Sequence, residues 1–137
     1  MSTSKRRCPS EQVAVAHADT TLVFVYGTLR RGGCRNRVLA DQELIGEAET
    51  TDDYALFDLG SYPGLIHLPA DGDAIPGDIY RVDADCLRTL DAIEAVDEGL
   101  YHRDIVALQS PYDSDPVEVW LYAMPLPPDA ARIDRWQ

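Results

Sequence analysis

No segment limits the fold of this chain more than Leu22-Val23-Phe24-Val25-Tyr26, which runs directly into Gly27-Thr28-Leu29-Arg30-Arg31-Gly32-Gly33. Apolar and aromatic residues follow one another without a charge, the pattern of a strand with neither face in water. The run stops at Gly27. A strand that ends in a glycine turn can aim successive backbone N–H groups at one spot and so form a small anion cradle. Thr28 adds a hydroxyl, and Arg30 and Arg31 bring positive charge close by. The functional reading is a pocket for a carboxylate or another small anion. The plain reading is an ordinary strand-to-loop turn, because glycine is common after a strand. A phosphate loop is excluded, since no Gly-Lys-Ser/Thr follows, and the spacing of a dinucleotide fingerprint is missing.

A second feature lies near Glu94. The stretch from Asp83 to Glu94 reads as a short amphipathic helix with Asp83 as N-cap and Asp85 in the first turn, facing the positive end of the helix dipole. Leu87 and Leu90 mark its apolar stripe, and Glu94 falls seven residues after the first and four after the second, back on that stripe. A carboxylate held there loses water, and desolvation raises its pKa towards the range useful for proton transfer. The alternative is a carboxylate at the helix rim that swings into solvent. Asp91, one turn earlier, is offset to the helix flank and is expected to be structural, paired with Arg88 or Arg103.

Composition narrows the function classes. The chain has 137 residues, enough for one domain with a real core, expected over 20–137 with 1–19 as a flexible leader. Its net charge of −12 argues against nucleic acid, which needs a basic face. No apolar run approaches the roughly 20 residues that span a membrane, and Pro9-Ser10-Glu11-Gln12 interrupts any signal-like segment after the basic Lys5-Arg6-Arg7. The three cysteines, Cys8, Cys34 and Cys86, are scattered and fit free thiols in a reducing cytoplasm. His17, His67 and His102 show no metal-ligand spacing, so no metal is expected. A Cys34–His102 nucleophilic pair is conceivable but lacks a local signature; His102 fits an exposed strand position beside Tyr101 and Arg103.

The order of elements is strand-rich. Strands are expected at 21–26, 44–48, 54–57, 65–68, 79–82, 105–108 and 117–122, with Val117, Val119 and Leu121 on one face of the last. A short helix is expected at 35–41 with Val38 and Leu39 turned inward. Asp97-Glu98-Gly99 reads as a solvated turn, and Pro125, Pro127 and Pro128 stop regular structure near the end. Many short strands and two short helices indicate an α+β fold built on a small, curved mixed sheet.

Several of these segments, taken in order, resemble a known family. Val25-Tyr26-Gly27-Thr28-Leu29-Arg30-Arg31-Gly32 with Asn36 is similar to the signature that opens the gamma-glutamylcyclotransferase-like family. Asp58-Leu59-Gly60-Ser61-Tyr62-Pro63-Gly64-Leu65 resembles its central loop, and Gly77-Asp78-Ile79-Tyr80-Arg81-Val82-Asp83 the strand leading into its helix. Leu90-Asp91-Ala92-Ile93-Glu94 resembles the helix end that carries the family's catalytic glutamate, although Ala95 follows where glycine is frequent. Leu100-Tyr101-His102-Arg103 resembles the next strand, and Arg132-Ile133-Asp134-Arg135-Trp136 a common family ending. The resemblance covers roughly 21–136 and lies nearest the branch that handles gamma-glutamylamines.

The resemblance implies a partly closed mixed β-barrel of about five to seven strands flanked by short helices. It implies release of 5-oxoproline from a gamma-glutamyl amide, without metal or cofactor, by a cytoplasmic monomer or weak homodimer. Glu94 would be the general acid/base, and Tyr26, Gly27, Thr28, Leu29 and Tyr101 would bind substrate. Asn36 would brace the glycine loop, with Arg30 and Arg103 in support. The competing readings are a non-catalytic small-anion or regulatory protein on the same fold, and an interaction domain whose pocket is vestigial.

Overall fold

The computed structural model describes residues 20–136, so the expected leader at 1–19 lies outside the described residues. Among the described residues there are eight strands and one α-helix: β1 Thr21–Val25, β2 Glu43–Glu49, β3 Tyr54–Asp58, β4 Pro63–His67, β5 Pro76–Val82, α1 Ala84–Ile93, β6 Tyr101–Ile105, β7 Glu118–Tyr122 and β8 Ala131–Ile133. They form a five-stranded sheet in the order β2-β5-β1-β7-β6 and a three-stranded sheet in the order β4-β3-β8.

The uncharged β1 run sits at the centre of the larger sheet, antiparallel to β5 and parallel to β7. Alternation along a strand sends its side chains to opposite faces, and here both faces are covered. Phe24 packs into a core with Leu56 and Leu65 of the smaller sheet, Ile79 of β5, and Val117, Val119 and Leu121. Val23 and Val25 face the other way, into a core with Leu39, Cys86 and Leu90, Tyr101 and Trp120. The molecule is therefore layered as small sheet, large sheet and helix. Leu90 is fully buried in the second core, a burial that contributes about 1.5–3 kcal/mol.

Helix α1 begins where Asp83 Oδ1 accepts the Cys86 N–H at 2.8 Å and ends at Glu94, whose N–H still donates to the Leu90 carbonyl at 2.9 Å. The next residue, Ala95, takes the left-handed conformation with φ of 53°. Glycine usually occupies that place after a helix, because a Cβ is strained there. The backbone of this chain thus keeps the glycine-type exit although alanine fills the position.

Four expectations are corrected. The strands do not close into a barrel: each sheet keeps two edge strands, and the sheets meet through apolar side chains of their facing strands. The expected helix at 35–41 is a single 3₁₀ turn, Asn36–Leu39, with Leu39 buried and Val38 half-buried as foreseen. Its first residue is held outward from the turn, because the Asn36 side chain is bonded to the Leu29 carbonyl and the Tyr80 hydroxyl. The strand expected at 105–108 lies earlier, at Tyr101–Ile105, in register with Tyr122–Glu118. Beyond the prolines the chain also forms β8, which pairs with β3. Three residues are too short a run for their alternation to mark a strand.

Candidate active site

The end of β1 opens into a cavity of about 90 Å³. Glycine-loop residues Tyr26, Gly27, Thr28 and Leu29 form one wall, and Tyr62, Pro63 and Tyr101 form another. Ile93 and Glu94 close it from the end of α1, with Arg35 and Leu100 beside them. Every residue assigned to catalysis or substrate contact from the sequence, namely Glu94, Tyr26, Gly27, Thr28, Leu29 and Tyr101, therefore lines this one space. Helix α1 brings Glu94 there because Cys86 and Leu90 anchor the inner face of the helix on the sheet, and Glu94 follows Leu90 by one turn.

Burial pushes the Glu94 carboxyl up to about 7, and the positive charge of Arg35 opposes that rise only in part. A carboxyl with that pKa exchanges protons near neutrality in either direction. The two tyrosines are different. Tyr26 donates its hydroxyl to the Trp120 carbonyl at 2.7 Å and accepts the Leu65 N–H at 3.3 Å. Tyr101 donates to the Pro63 carbonyl at 2.5 Å. Burial, followed by the neighbouring Tyr101 and Glu94 charges, raises the Tyr26 pKa, and burial and Glu94 likewise raise that of Tyr101. Both phenols stay neutral and hydrogen-bonded, so they shape the cavity, and of these three groups only Glu94 has a pKa near neutrality.

The glycine loop is held by its own hydrogen bonds. Arg30 N–H donates to Gly27 O at 3.0 Å, Arg35 N–H to Thr28 O at 2.8 Å, and Asn36 Nδ2 to Leu29 O at 2.8 Å. Asn36 thus braces the loop by a side-chain-to-backbone bond, as the sequence indicated. The carbonyls of Gly27, Thr28 and Leu29 are engaged in this network, while the N–H groups of the same three residues take no part in it. Gly27 is needed for a reason other than backbone freedom. A Cβ on it would lie 2.6 Å from Cγ and 2.9 Å from Cδ of Pro63. The close approach is to the opposite cavity wall, not to a ligand. Gly27→Val is therefore expected to force Pro63 and its bonded partner Tyr101 apart, costing about 1–3 kcal/mol of stability and weakening binding of small carboxylates. Thermal melting and calorimetric titration on folded protein check this; normal melting and binding would mean that the cavity wall yields freely.

Arg30 and Arg31 do not turn to the cavity but to Asp78 of β5, a fully buried acid. Arg31 reaches Asp78 with its backbone N–H at 3.0 Å and its guanidinium at 3.2 Å, and Arg30 does so at 3.5 Å. Burial opposes ionisation of Asp78, but these donors and charges outweigh it and hold the carboxyl below its ordinary value. The arginines therefore fasten the loop to the sheet. Arg103 likewise supports from outside: its Nε and Nη2 grip Asp91 at 3.1 and 3.2 Å, and Trp120 Nε1 donates to the same carboxylate at 2.9 Å. Asp91 is thus paired with Arg103, one of its two expected partners; Arg88 pairs with Asp85 instead. Asp91→Asn should cost about 1–2 kcal/mol of stability, because the amide loses one of the two Arg103 bonds and the charge behind the other, and leave turnover much closer to wild type than any change at Glu94. A larger activity loss at Asp91 than at Glu94 would reverse the two roles.

Arg35, Asp78 and Pro63 escaped the sequence reading. Asp78 and Pro63 stand in segments whose resemblance was visible, but only contact shows what each touches. Arg35 had one signal: Asn36 bracing the loop folds the preceding residue back beside the end of β1. Cys34 and His102 are both exposed and are not among the cavity residues. Among the described residues no three of His, Cys, Asp and Glu come together as a metal site would require, and no helix is long and apolar enough to cross a membrane.

Known proteins resemble this chain in sequence and in fold. Residues 23–136 match the family model described as "Gamma-glutamyl cyclotransferase, AIG2-like". A putative gamma-glutamylcyclotransferase of Vibrio cholerae is 40% identical over 101 residues, 74% of this chain and 79% of that protein. The human gamma-glutamylaminecyclotransferase is 38% identical over 102 residues, 69% of this chain and 66% of the human one. The crystal structure of an AIG2-like protein from Mus musculus superposes with a TM-score of 0.76 at 29% identity, covering 86% of this chain and 88% of the mouse chain. The mixed α+β layers and the matched segment agree, and the chain belongs to the gamma-glutamyl cyclotransferase, AIG2-like family.

Proposed function

We propose that this protein is a gamma-glutamyl cyclotransferase that converts a gamma-glutamyl amide into 5-oxoproline and a free amine, with Glu94 as general base and then general acid. The observation that carries this reading is a carboxyl with a pKa of about 7 in the wall of the cavity that the glycine loop also lines. The names and family of the relatives support the reaction class.

The substrate's alpha-amine and gamma-carbonyl are tethered in one molecule, so the protein needs no nucleophile of its own. Holding the two in attack geometry recovers part of an effective-molarity advantage of about 7–11 kcal/mol. The alpha-ammonium first gives a proton to Glu94. The free amine then attacks the gamma-carbonyl, forming the ring C–N bond and an oxyanion. As the oxyanion collapses, the original amide C–N bond breaks and Glu94 returns the proton to the departing nitrogen; the ring nitrogen then gives its second proton to the same carboxylate, which passes it to the released amine, so that the lactam keeps one N–H and the amine leaves as an ammonium. The N–H groups of Gly27, Thr28 and Leu29 would hold the substrate carboxylate or the oxyanion, and Tyr26 and Tyr101 would fix the shape around the ring. No step calls for a cofactor.

Incubation with a panel of gamma-glutamyl compounds, with 5-oxoproline followed by mass spectrometry, tests this directly. Release of 5-oxoproline with at least one of them is the expected result. Thermal stabilisation by glutamate-like ligands without any 5-oxoproline would identify a binding protein instead.

A further inference from the structure

We propose that a groove where β2 ends and β5 begins, apart from the active-site cavity, binds a free amino acid in its zwitterionic form. The groove has a volume of about 400 Å³, within the range of small-molecule sites. It shares no lining residue with the cavity that holds Glu94. Its floor is formed where the two strands pair, with Ala48 opposite Gly77 and Glu49 opposite Pro76. One wall is fixed by Gln109, whose N–H donates to Glu49 O at 2.9 Å and whose Nε2 donates to Thr50 O at 3.0 Å. Arg30, Glu47, Ser110 and Arg135 complete the lining.

Charge decides the class of ligand. Of the two arginines and two glutamates in the lining, one of each is already used. Arg30 reaches Asp78 at 3.5 Å, and Glu47 holds Arg31 at 3.0 Å. Arg135 and Glu49 are left over: neither side chain makes an ion pair or hydrogen bond among the described residues, and they do not pair with each other. One cation and one anion thus face the same space without touching. A ligand with a single charge would satisfy one of them and be repelled by the other. A carboxylate and an ammonium on one small molecule match both. The guanidinium takes the carboxylate with two parallel hydrogen bonds, and Glu49 accepts from the ammonium. Both side chains are exposed, so water and salt weaken the contacts and the expected Kd is on the order of 1 mM.

Three probes of similar size make the test: alanine, propionate, which lacks the ammonium, and ethylamine, which lacks the carboxylate. Each is titrated into the full chain while backbone amide chemical shifts are followed. Alanine should move the signals of Ala48, Gly77, Gln109 and Ser110, and should bind about fivefold or more tighter than either other probe. Arg135→Gln and Glu49→Gln should each weaken alanine by about fivefold or more. Both side chains are exposed and unpaired, so both variants should melt with wild type. Propionate or ethylamine binding as tightly as alanine would overturn the zwitterion. Alanine shifts confined to Thr28 and Leu29, or alanine binding that neither substitution weakens, would overturn the groove. So would the lack of any shift at about 50 mM alanine, far above the expected Kd. None of these readings depends on release of 5-oxoproline, so the groove and the cyclotransferase reaction stand or fall separately.

Discussion

Glu94→Gln is expected to fold like the wild type, to keep binding gamma-glutamyl ligands, and to release 5-oxoproline slower by a factor on the order of 10² or more. Glutamine preserves the size and hydrogen-bonding reach of the side chain and removes only its proton chemistry. No neighbour can take over, because the hydroxyls of Tyr26 and Tyr101 are committed to backbone carbonyls and their pKa values are raised. Near-normal turnover in the variant would remove Glu94 from the mechanism.

The same substitution should change the pH profile. Glu94 must be ionised to accept the first proton, so wild-type kcat/KM should rise with pH through about 7, and that limb should vanish in the variant. Stability should move in the opposite sense. The folded protein binds the Glu94 proton more tightly than the unfolded chain, whose value is near 4.5. At pH below 4.5 the carboxyl is protonated in both states and costs nothing. Between 4.5 and about 7 the unfolded chain ionises first, and the folded state loses stability as pH rises. The full penalty, present above pH 7, has an upper bound of about 3 kcal/mol, so Glu94→Gln should melt higher than wild type at pH 8 and equally at pH 4. A variant that melts lower at pH 8 would show that the carboxylate is not desolvated.

The second large effect should come from Asp78→Asn, which is remote from the proposed chemistry. Asp78 is fully buried and gathers the backbone and guanidinium of Arg31 and the charge of Arg30. Removing one partner of a fully buried pair costs about 3–5 kcal/mol. The arginines here are partly in water, with side-chain exposures of 22% and 47%, so about 2 kcal/mol is expected, a fall in Tm of about 8 °C. Because the clamp holds the loop that carries Thr28 and Leu29, KM should rise as well. Glu47→Ala, which removes an exposed partner of the same Arg31, should change stability by no more than about 0.5 kcal/mol. The wild-type advantage over Asp78→Asn should be present above pH 3.8 and shrink as pH falls through the depressed Asp78 pKa. Equal melting of wild type and Asp78→Asn at neutral pH would show that the clamp is not stabilising.

Local periodicity marked the elements that carry the site. An uncharged run from Leu22 to Tyr26 marked a strand covered on both faces, and each face indeed meets its own core. The spacing of Leu87, Leu90 and Glu94 put a carboxylate on the inner stripe of a helix whose N-cap and first turn were also readable. These features are properties of neighbours in sequence, set by 3.6- and 2-residue repeats, and they need no knowledge of the rest of the chain. Ordered resemblance of separate segments then indicated that the glycine loop and Glu94 share one pocket.

The direction of the charged side chains was a different matter. Arg30 and Arg31 looked like a positive field for a ligand, and they are the counter-charge of an acid 47 residues away from Arg31. Arg35 went unread in the sequence, and it is the cation beside Glu94. Pro63 makes Gly27 necessary from the far side of the cavity. Sheet closure was equally out of reach, because it depends on which strand edges find hydrogen-bond partners, not on any strand's own pattern. Sequence by itself determined what each segment wants to be and which side it buries; tertiary structure alone decided what each polar side chain faces, because long charged side chains follow the nearest unpaired opposite charge, and that charge is brought near only by folding.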